Sequence, residues 1–372
     1  MSNNEETEKQ IPGLPSATKA KDNDRLIKRD TDTGSDQQLE IATLLERSAE
    51  QVDTHTSKTG GIHGIPDGER ALHTGNVKLE VNFGDDPVDV PTEEVLSRVS
   101  GSNGTWIVVG TDGTALRSAD DGQNWTEIDI PTEAALRDVY ESDGTWIVVG
   151  AGGTVLRSTD DGQSWDIVDT PETRSLSGIY GSGGTWIAVG NSGDMIRSTD
   201  DGQSWTSVST PTEEWLHDVY ESGGTWIAVG WGDGTLLRST EDGQSWDSVD
   251  TPTTERLRGV YESNGTWIVV GYSGTVLRSA DEGRSWTSVD TPTTEDLWGV
   301  AESDGTWIVV GDDGTALRSA DNGQSWTSVN TPTTEHLRGV AEFGGTWIVT
   351  GWSGTVLRTL AVRVITLDEE AI

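Results

Sequence analysis

The stretch GTWIVVG at residues 104–110 decides the fold, because variants of it occur seven times along the chain. Its tryptophans lie 40 or 41 residues apart: Trp106, Trp146, Trp186, Trp226, Trp267, Trp307 and Trp347. A fixed period near 40 residues, with several short apolar runs in each unit, is typical of a β-propeller blade. The chain is therefore predicted to be a repeat array with one blade per unit.

Each unit contains four short runs rich in Val, Ile, Thr, Trp and Tyr, separated by Gly, Asp, Asn and Ser. Such runs are typical of antiparallel strands, and none is long enough to form the core of a helix. We name the strands A to D, from the inside of the ring to the outside. The prediction is an all-β fold, a seven-bladed β-propeller of four-stranded antiparallel blades, with an N-terminal extended arm and a short helix.

Between strands C and D, six units carry an eight-residue signature, which reads SADDGQNW in the first unit. It resembles the Asp-box hairpin, Ser-x-Asp-x-Gly-x-Ser/Thr-Trp. An aspartate in such a turn accepts backbone amides, the glycine permits a positive φ, and the tryptophan packs beneath the hairpin. We therefore predict a structural role, and not a metal-binding or catalytic one, for its aspartates: Asp120, Asp160, Asp200, Asp281 and Asp321.

With the GTWIVVG and GTVLRS runs beside these boxes, the repeat resembles the propeller of the photosystem II assembly and stability factor family over about residues 85–360. The resemblance implies the same fold and a role as an assembly factor that holds a protein client, although propellers host unrelated functions. Sialidases also carry Asp-boxes, but they need an arginine triad that is not repeated. The arginines of strand C recur once per unit, which predicts a packing role: Arg117, Arg157, Arg197, Arg238, Arg278, Arg318 and Arg358.

The seventh unit has strands A to C at residues 337–359 but no signature after Arg358. Residues 85–91 align with the strand D segment of the first unit, residues 125–131, at the same offset of 40. We expect this N-terminal segment to supply the missing outer strand and to cover a sheet edge that would otherwise be exposed. The runs VKLEVNF and AVRVITL are alternatives for that place.

The composition is strongly acidic, with 63 acidic against 25 basic residues and a formal net charge of -38. All six lysines lie at or before Lys78. Such a surface is typical of halophilic proteins, in which salt screens the repulsion between like charges, although an acidic mesophilic protein is the alternative. The charge disfavours nucleic acid as a partner. The absence of cysteine excludes disulfides and thiolate metal sites, and no cofactor is predicted.

The N-terminal 84 residues differ from the repeats and predict three parts in the chain: an extended polar arm at 1–36, a short helix with a His- and Gly-rich stem or linker at 37–84, and the propeller at 85–372. Ile41, Leu44, Leu45, Ser48 and Val52 would share one face of the helix. A helix of about four turns is marginal alone. We therefore expect a homo-oligomer, with a trimer favoured.

His55 and His63 lie in a Gly- and Thr-rich stretch that resembles the stems of tailed-virus fibre and baseplate proteins, and a plain linker is the alternative. No secretion signal and no run long enough to span a bilayer is recognisable in the sequence. These features predict a virion protein, or a cytoplasmic protein of a haloarchaeon, without membrane insertion.

Functional residues are sought where the repeat breaks, because the shared fold does not require such positions. The residue after the Val-Gly or Thr-Gly of strand B differs from unit to unit, and so does the residue after the first leucine of strand A. From these positions and the connection before strand A, five aromatic residues are predicted to anchor a partner or stack on a sugar: Trp215, Trp231, Tyr272, Trp298 and Trp352. Four further residues are predicted to hold an anionic group such as a carboxylate or an acidic glycan: Arg137, His217, Arg258 and Arg338.

Two alternatives stay open for these residues. The arginines would instead pair with glutamates on the same strands, Glu141, Glu262 and Glu342, and the aromatic residues would pack between neighbouring blades. No acid and base pair, nucleophile set or metal cluster stands outside the repeat. The leading hypothesis is a non-enzymatic virion protein of a haloarchaeal tailed virus, attached to other virion proteins through residues 1–75, whose propeller binds a protein or glycan on the host surface. The alternative is a cellular assembly factor or scaffold that holds a protein client.

We predict that the stability of the protein depends on salt. Lowering NaCl from molar concentrations to about 0.1 M should lower the melting temperature, because weaker screening strengthens the repulsion among acidic side chains. Thermal melting followed by circular dichroism across this range of salt tests the prediction. Melting curves that coincide at all salt concentrations would contradict the halophilic interpretation.

Overall fold

The computed structural model of the protein describes residues 77–80, 83, 87–360 and 362–365. The expected arm, the helix with the apolar face at Ile41 to Val52, and the segment with His55 and His63 lie outside these residues. In the described part no helix is long and apolar enough to cross a membrane.

The predicted fold is confirmed as an all-β propeller of seven antiparallel blades, six with four strands and the seventh with three assigned strands. Strands A are Leu96–Ser102, Leu136–Ser142, Leu176–Ser182, Leu216–Ser222, Leu257–Ser263, Leu297–Ser303 and Leu337–Phe343. Strands B are Thr105–Gly110, Thr145–Gly150, Thr185–Gly190, Thr225–Gly230, Thr266–Gly271, Thr306–Gly311 and Thr346–Gly351. Strands A of neighbouring blades lie side by side around the ring, including those of the first and seventh blades.

The outer strands are shorter than the inner ones. Strands C are Ala115–Ser118, Val155–Ser158, Met195–Ser198, Leu236–Ser239, Val276–Ser279, Ala316–Ser319 and Val356–Leu360. Strands D are Thr126–Glu127, Asp166–Ile167, Thr206–Ser207, Asp247–Ser248, Thr287–Val289 and Thr327–Val329. Three short 3-10 turns join strands B and C in the first three blades: Thr111–Gly113, Ala151–Gly153 and Asn191–Gly193.

Strand B is buried along its whole length, because each blade packs against a neighbour on both faces. The core is divided into clusters that join adjacent blades. In one of them Ile107 and Val109 of blade 1 pack with Leu136, Trp146 and Leu156 of blade 2. A strand buried on both faces reads as a continuous apolar run, which explains why TWIVVG shows no alternation of apolar and polar residues.

The signature between strands C and D forms a closed turn. In the first blade the Ser118 hydroxyl donates to Asp120 Oδ1 at 2.8 Å, and the amides of Gly122 and Asn124 donate to Ser118 Oγ and Asp120 Oδ1. Trp125 Nε1 donates to the carbonyl of Gly122 at 3.1 Å. Gly122 has a φ of 75°, and a Cβ there would lie 2.5 Å from a side-chain carbon of the neighbouring blade, so only glycine fits.

The carboxylate oxygens of these aspartates accept hydrogen bonds from within the same turn. Each of them accepts a hydrogen bond from the serine two residues before it: Asp120, Asp160, Asp200, Asp281 and Asp321. In three of them the hydroxyl of the serine four residues on lowers the pKa of the carboxyl group to about 2: Asp160, Asp200 and Asp281. Among the described residues no group of three or more His, Asp or Glu could hold a metal ion.

The repeated arginines of strand C in blades 1 to 5 and in blade 7 each donate from Nε to a carbonyl of the next blade. Arg117 Nε donates to the carbonyl of Asp161 at 2.8 Å, and Arg157 Nε donates to that of Asp201 at 2.7 Å. The same bond closes the ring, since Arg358 Nε of blade 7 donates to the carbonyl of Asp121 in blade 1 at 2.6 Å. These contacts are the packing role that repetition predicts.

The seventh blade is completed by residues before the first blade. The amide of Val88 donates to the carbonyl of Val356 at 2.8 Å, as Ile128 does to Ala115 in blade 1. Phe83 is buried in the cluster of Trp347, where other blades place the tryptophan of their signature. The two runs considered as alternatives pair with each other, as strands Val77–Glu80 and Val362–Ile365 of a two-stranded sheet.

We predict that a repeated tryptophan and a loop tryptophan differ sharply in their effect on stability. Trp226 is 1% exposed, and Trp226→Ala should lower the free energy of unfolding by about 3–5 kcal/mol through the cavity it leaves. Trp352 is 38% exposed, and Trp352→Ala should cost less than about 1 kcal/mol. Denaturant unfolding of both variants measures the two losses. Equal losses would contradict the assignment of the core.

Candidate functional site

One end of each strand A is irregular in the same way in all seven blades. The first leucine pairs with the last glycine of strand B, the ladder shifts, and pairing resumes two residues later. The residue after the leucine is therefore a β-bulge, and a bulge re-aims its side chain away from the regular pattern. The seven bulged residues are Ser97, Arg137, Ser177, His217, Arg258, Trp298 and Arg338.

All seven bulged residues line one pocket of about 320 Å³, together with Val95, Arg98 and Trp352. We call this pocket the mouth. The structure thus brings together the four residues predicted to hold an anion and two of the five predicted aromatic residues, Trp298 and Trp352. Trp231 and Tyr272 contact these residues and Trp215 stacks on Trp231, but none of the three lines the mouth.

The three predicted arginines of the mouth have no carboxylate within ion-pair distance among the described residues: Arg137, Arg258 and Arg338. The alternative pairing with glutamates of the same strands does not form. Those glutamates accept the amide of a turn glycine at the opposite end of strand A, at 2.5 or 2.6 Å: Glu141, Glu262 and Glu342.

The arginines are held by aromatic and neutral polar groups. Arg258 Nη2 donates to the hydroxyl of Tyr272, and Arg137 Nη1 donates to Ser177 Oγ at 3.4 Å. Arg338 lies 3.5 Å above the ring of Trp298 and makes no side-chain hydrogen bond to the described part of the chain. Burial lowers the pKa of Arg338 to about 10 and also lowers the pKa values of Arg137 and Arg258. Arg338 therefore keeps its charge at neutral pH.

His217 is neutral in this setting. Its side chain is buried, and both ring nitrogens lie 3.1 Å from Arg258 Nη1. Burial, together with the positive charge of Arg258, lowers the pKa of His217 to about 2. The expectation that His217 helps to hold an anion is therefore corrected in one respect, since the ring contributes a hydrogen-bonding nitrogen and no positive charge.

The aromatic residues use their ring faces mainly on one another and on arginines of adjacent blades. Trp231 is stacked on Trp215 with ring centroids 4.6 Å apart, and Arg256 lies 4.1 Å above it. Trp298 contacts Arg258 and Arg338 in the same way. Packing between blades, the alternative left open by the sequence, thus applies to Trp231 and Trp298.

Exposure separates the remaining aromatic residues. Trp215 and Trp352 are 37% and 38% exposed, and the ring of His336 meets that of Trp352 edge to face at 4.4 Å. Tyr272 is half-buried and binds Arg258 through its hydroxyl. Of the five predicted aromatic residues, these two tryptophans present the most surface to a partner.

Sequence reasoning missed three charged residues beside the mouth. Arg98 Nη1 donates to the carbonyl of Arg338 at 2.9 Å, and Arg98 Nε lies 3.9 Å from Asp138 Oδ1. Asp138 and Asp218 each accept two backbone amides, one from their own blade and one from the next. Burial raises the pKa values of both carboxyl groups, which Arg98 opposes. The signal was present, because the third position of strand A also breaks the repeat.

Comparison with known proteins supports the fold. The DUF6242 beta propeller domain family matches residues 89–216, which is less than half of the chain. No curated protein matches the sequence. The solved structure of YCF48 bound to D1 peptide is 19% identical, with a TM-score of 0.63, and the match covers 76% of this chain and 95% of that one.

Two further structures are similar at the same level. YCF48 from Cyanidioschyzon merolae is 20% identical, with a TM-score of 0.61 and coverage of 74% of this chain and 98% of that one. Virginiamycin B lyase from Staphylococcus aureus is 17% identical, with a TM-score of 0.65 and coverage of 77% and 100%. At these identities the likeness shows the propeller fold alone, and the fold is shared by a peptide-binding protein and an enzyme.

We predict that His217 makes the stability of the protein depend on pH. The unfolded chain takes up a proton on this residue near pH 6.5, whereas the folded protein, with a pKa of about 2, does not. The stability that depends on neutral His217 is therefore lost as the pH falls below about 6.5, and the loss amounts to about 2 kcal/mol at pH 5.

Urea unfolding at pH 7 and pH 5 tests this linkage in the wild type and in His217→Gln. The substitution should remove about 2 kcal/mol of the difference between the two pH values, whatever the other titratable groups contribute. An unchanged difference would show that the folded state protonates His217 as readily as the unfolded chain does.

Proposed function

We propose that this protein is a non-enzymatic binding protein that holds an acidic segment of a protein partner at the mouth. The observation that carries the proposal is the convergence of Arg137, Arg258 and Arg338 on one pocket without a carboxylate partner among the described residues. This lack of a partner is notable because the chain carries 63 acidic against 25 basic residues.

The argument is electrostatic. Removing a cation from water is costly unless an opposite charge or hydrogen bonds compensate it. Three guanidinium groups facing one pocket also repel one another. Cation–π contacts offset part of this cost, and an incoming anion offsets the rest. Guanidinium groups bind carboxylates with two parallel hydrogen bonds, which makes an acidic group the ligand that fits best.

The choice of a protein partner rests on two supports. YCF48, a similar propeller, has been solved with a peptide bound, and the repeats of this chain resemble those of photosystem II assembly factors. Exposed Trp215 and Trp352 beside the mouth are the type of residue that anchors protein partners. We therefore propose a scaffold or assembly factor that holds its client through this face.

The non-enzymatic part of the proposal rests on the condition of the titratable groups near the mouth. His217 is neutral and lies against Arg258. Asp138 and Asp218 each have both carboxyl oxygens committed to backbone amides. A general base must reach a substrate proton, but neither aspartate lines the mouth, and the ring nitrogens of His217 lie against Arg258.

A second candidate function concerns the place where the protein acts. The sequence of residues 1–84, with its polar arm, short amphipathic stretch and His- and Gly-rich segment, favours a virion stem. On these features we propose a host-recognition head of a haloarchaeal tailed virus, trimeric through residues 1–75. Mass spectrometry of purified virions tests this. Presence at a fixed stoichiometry supports it, and detection only in cell lysate favours the cytoplasmic scaffold.

We predict that binding of acidic peptides requires the arginines of the mouth. An array of end-blocked acidic, neutral and basic peptides should retain the wild type mainly on acidic sequences. The double variant Arg258→Gln and Arg338→Gln should lose at least about tenfold in affinity, because two charge-assisted contacts are removed.

The control is a second double variant, Arg174→Gln and Arg284→Gln, which removes two positive charges outside the mouth. Both of these arginines are exposed and pair with an acidic neighbour. This control should bind acidic peptides like the wild type. An equal loss in the two double variants would attribute binding to net charge and would refute the mouth as the binding site.

A further inference from the structure

Trp298 is the one tryptophan among the seven bulged positions, and it separates two arginines. The guanidinium carbon of Arg338 lies 3.5 Å from the ring centroid, and that of Arg258 lies 4.2 Å from it. Two guanidinium groups cannot both lie so close above the same face of one ring, so they occupy opposite faces. Their central carbons are therefore at most about 8 Å apart.

This arrangement is fixed by further contacts. Trp298 Nε1 donates to Asp312 Oδ1 at 2.7 Å, and the same oxygen lies 2.9 Å from His336 Nδ1. Arg258 is held by the hydroxyl of Tyr272 and by the ring nitrogens of His217. The indole is thus anchored at its edge, and the distance between the two arginines is built into blades 5, 6 and 7.

Both arginines keep donors for a ligand. Arg258 uses Nη1 on His217 and Nη2 on Tyr272, and each of these nitrogens keeps a second N–H. The buried Nε atoms of Arg258 and Arg338 have no hydrogen-bond partner among the described residues. The side-chain nitrogen atoms of Arg338 make no hydrogen bond to the described residues. The side chains of Arg258 and Arg338 line the same pocket. Each guanidinium group can therefore bind a carboxylate of its own, at a separation that Trp298 sets.

We propose that the mouth recognises an extended peptide segment that carries two acidic side chains two residues apart, one bound by Arg258 and the other by Arg338, with Trp298 as the spacer. This inference rests on the function proposed above. In an extended chain the rise is about 3.3 Å per residue, and side chains i and i+2 point to the same side about 6.5–7 Å apart. Residues i and i+1, or i and i+3, point to opposite sides and cannot reach both arginines.

An extended segment also suits the size of the mouth. The pocket of about 320 Å³ admits side chains, whereas a helix about 10–12 Å in diameter would keep its backbone above the opening. An extended chain can instead run along the mouth and direct alternate side chains into it.

The test uses end-blocked nine-residue peptides of one composition, with two aspartates separated by one, two, three or four positions in a Gly and Ser background. Affinities are measured by fluorescence anisotropy with the full-length protein, in salt at which its melting curve shows it folded. The spacing of two should bind at least about tenfold more tightly than the spacings of one and three, because only that spacing engages both arginines.

Variants identify the source of the preference. Arg258→Gln and Arg338→Gln should each reduce the affinity for the spacing of two by about tenfold and make the spacings equivalent. Trp298→Leu should leave acidic peptides bound but remove the preference, because the arginines lose their spacer. Trp352→Leu is the matched control, because this tryptophan of the mouth lies 5.3 Å from Arg338 but does not separate the two arginines. It should keep the ratio of affinities between the spacings, whatever it does to the affinities themselves. Melting curves verify that each variant is folded.

The outcomes separate this inference from the proposed function. Peptides that bind equally at all spacings, but less tightly to Arg258→Gln and Arg338→Gln, would overturn the spacing rule and leave the proposed function standing. A preference for the spacing of four would overturn the extended conformation in favour of a helix, in which residues i and i+4 are neighbours. Binding that neither arginine variant affects, or no binding at all, would overturn both proposals.

Discussion

The packing of each blade against the next is the interaction on which the rest of the structure depends. Every blade contributes a tryptophan of strand B that is at most 2% exposed, and its partners come from the preceding blade as well as its own. No blade can bury this surface alone, so the array is stable only as a closed ring. Ring closure explains the roles of Arg358, Val88 and Phe83. Each of them makes, between the two ends of the propeller, a contact that other blades make between segments close in the sequence.

The β-bulge of strand A turns this repetitive ring into an asymmetric site. The backbone does the same thing in every blade, and it directs seven side chains into one mouth. Since the bulged side chain lies outside the ladder, its identity is free to differ between blades. Blades 1 and 3 place a serine there, whereas blades 5, 6 and 7 place Arg258, Trp298 and Arg338 in sequence. The repeated fold thus determines where the seven side chains lie, and the differences between blades determine which chemical groups line the mouth.

Most buried arginines are paired with carboxylates, whereas in the mouth aromatic rings stabilise the charge of the arginines. A carboxylate would neutralise a guanidinium group and occupy its donors, whereas a ring stabilises the charge through its face and leaves the N–H groups at the edge available. Arg338 shows the consequence most clearly, because Trp298 stabilises its charge while no described residue accepts its hydrogen bonds. The nearby acidic residues have other partners: glutamates of strand A accept turn amides at its other end, Asp138 and Asp218 accept backbone amides, and Asp312 accepts a hydrogen bond from Trp298. The mouth therefore stays a positive site within an acidic protein.

The sequence by itself determined the fold and the positions of the site. A 40-residue period, a buried strand without alternation of apolar and polar residues and a glycine at each turn leave few architectures other than a propeller. Equivalent positions of a repeat must then lie at equivalent places in a ring. The ring of residues from Ser97 to Arg338 could therefore be predicted as a set. The 40-residue period does not determine which neighbouring residue a variable side chain contacts. The sandwich of Trp298, the stacking of Trp231 on Trp215 and the pairing of Val77–Glu80 with Val362–Ile365 were decided by the tertiary structure, because these contacts join separate segments that only the folded chain brings within reach.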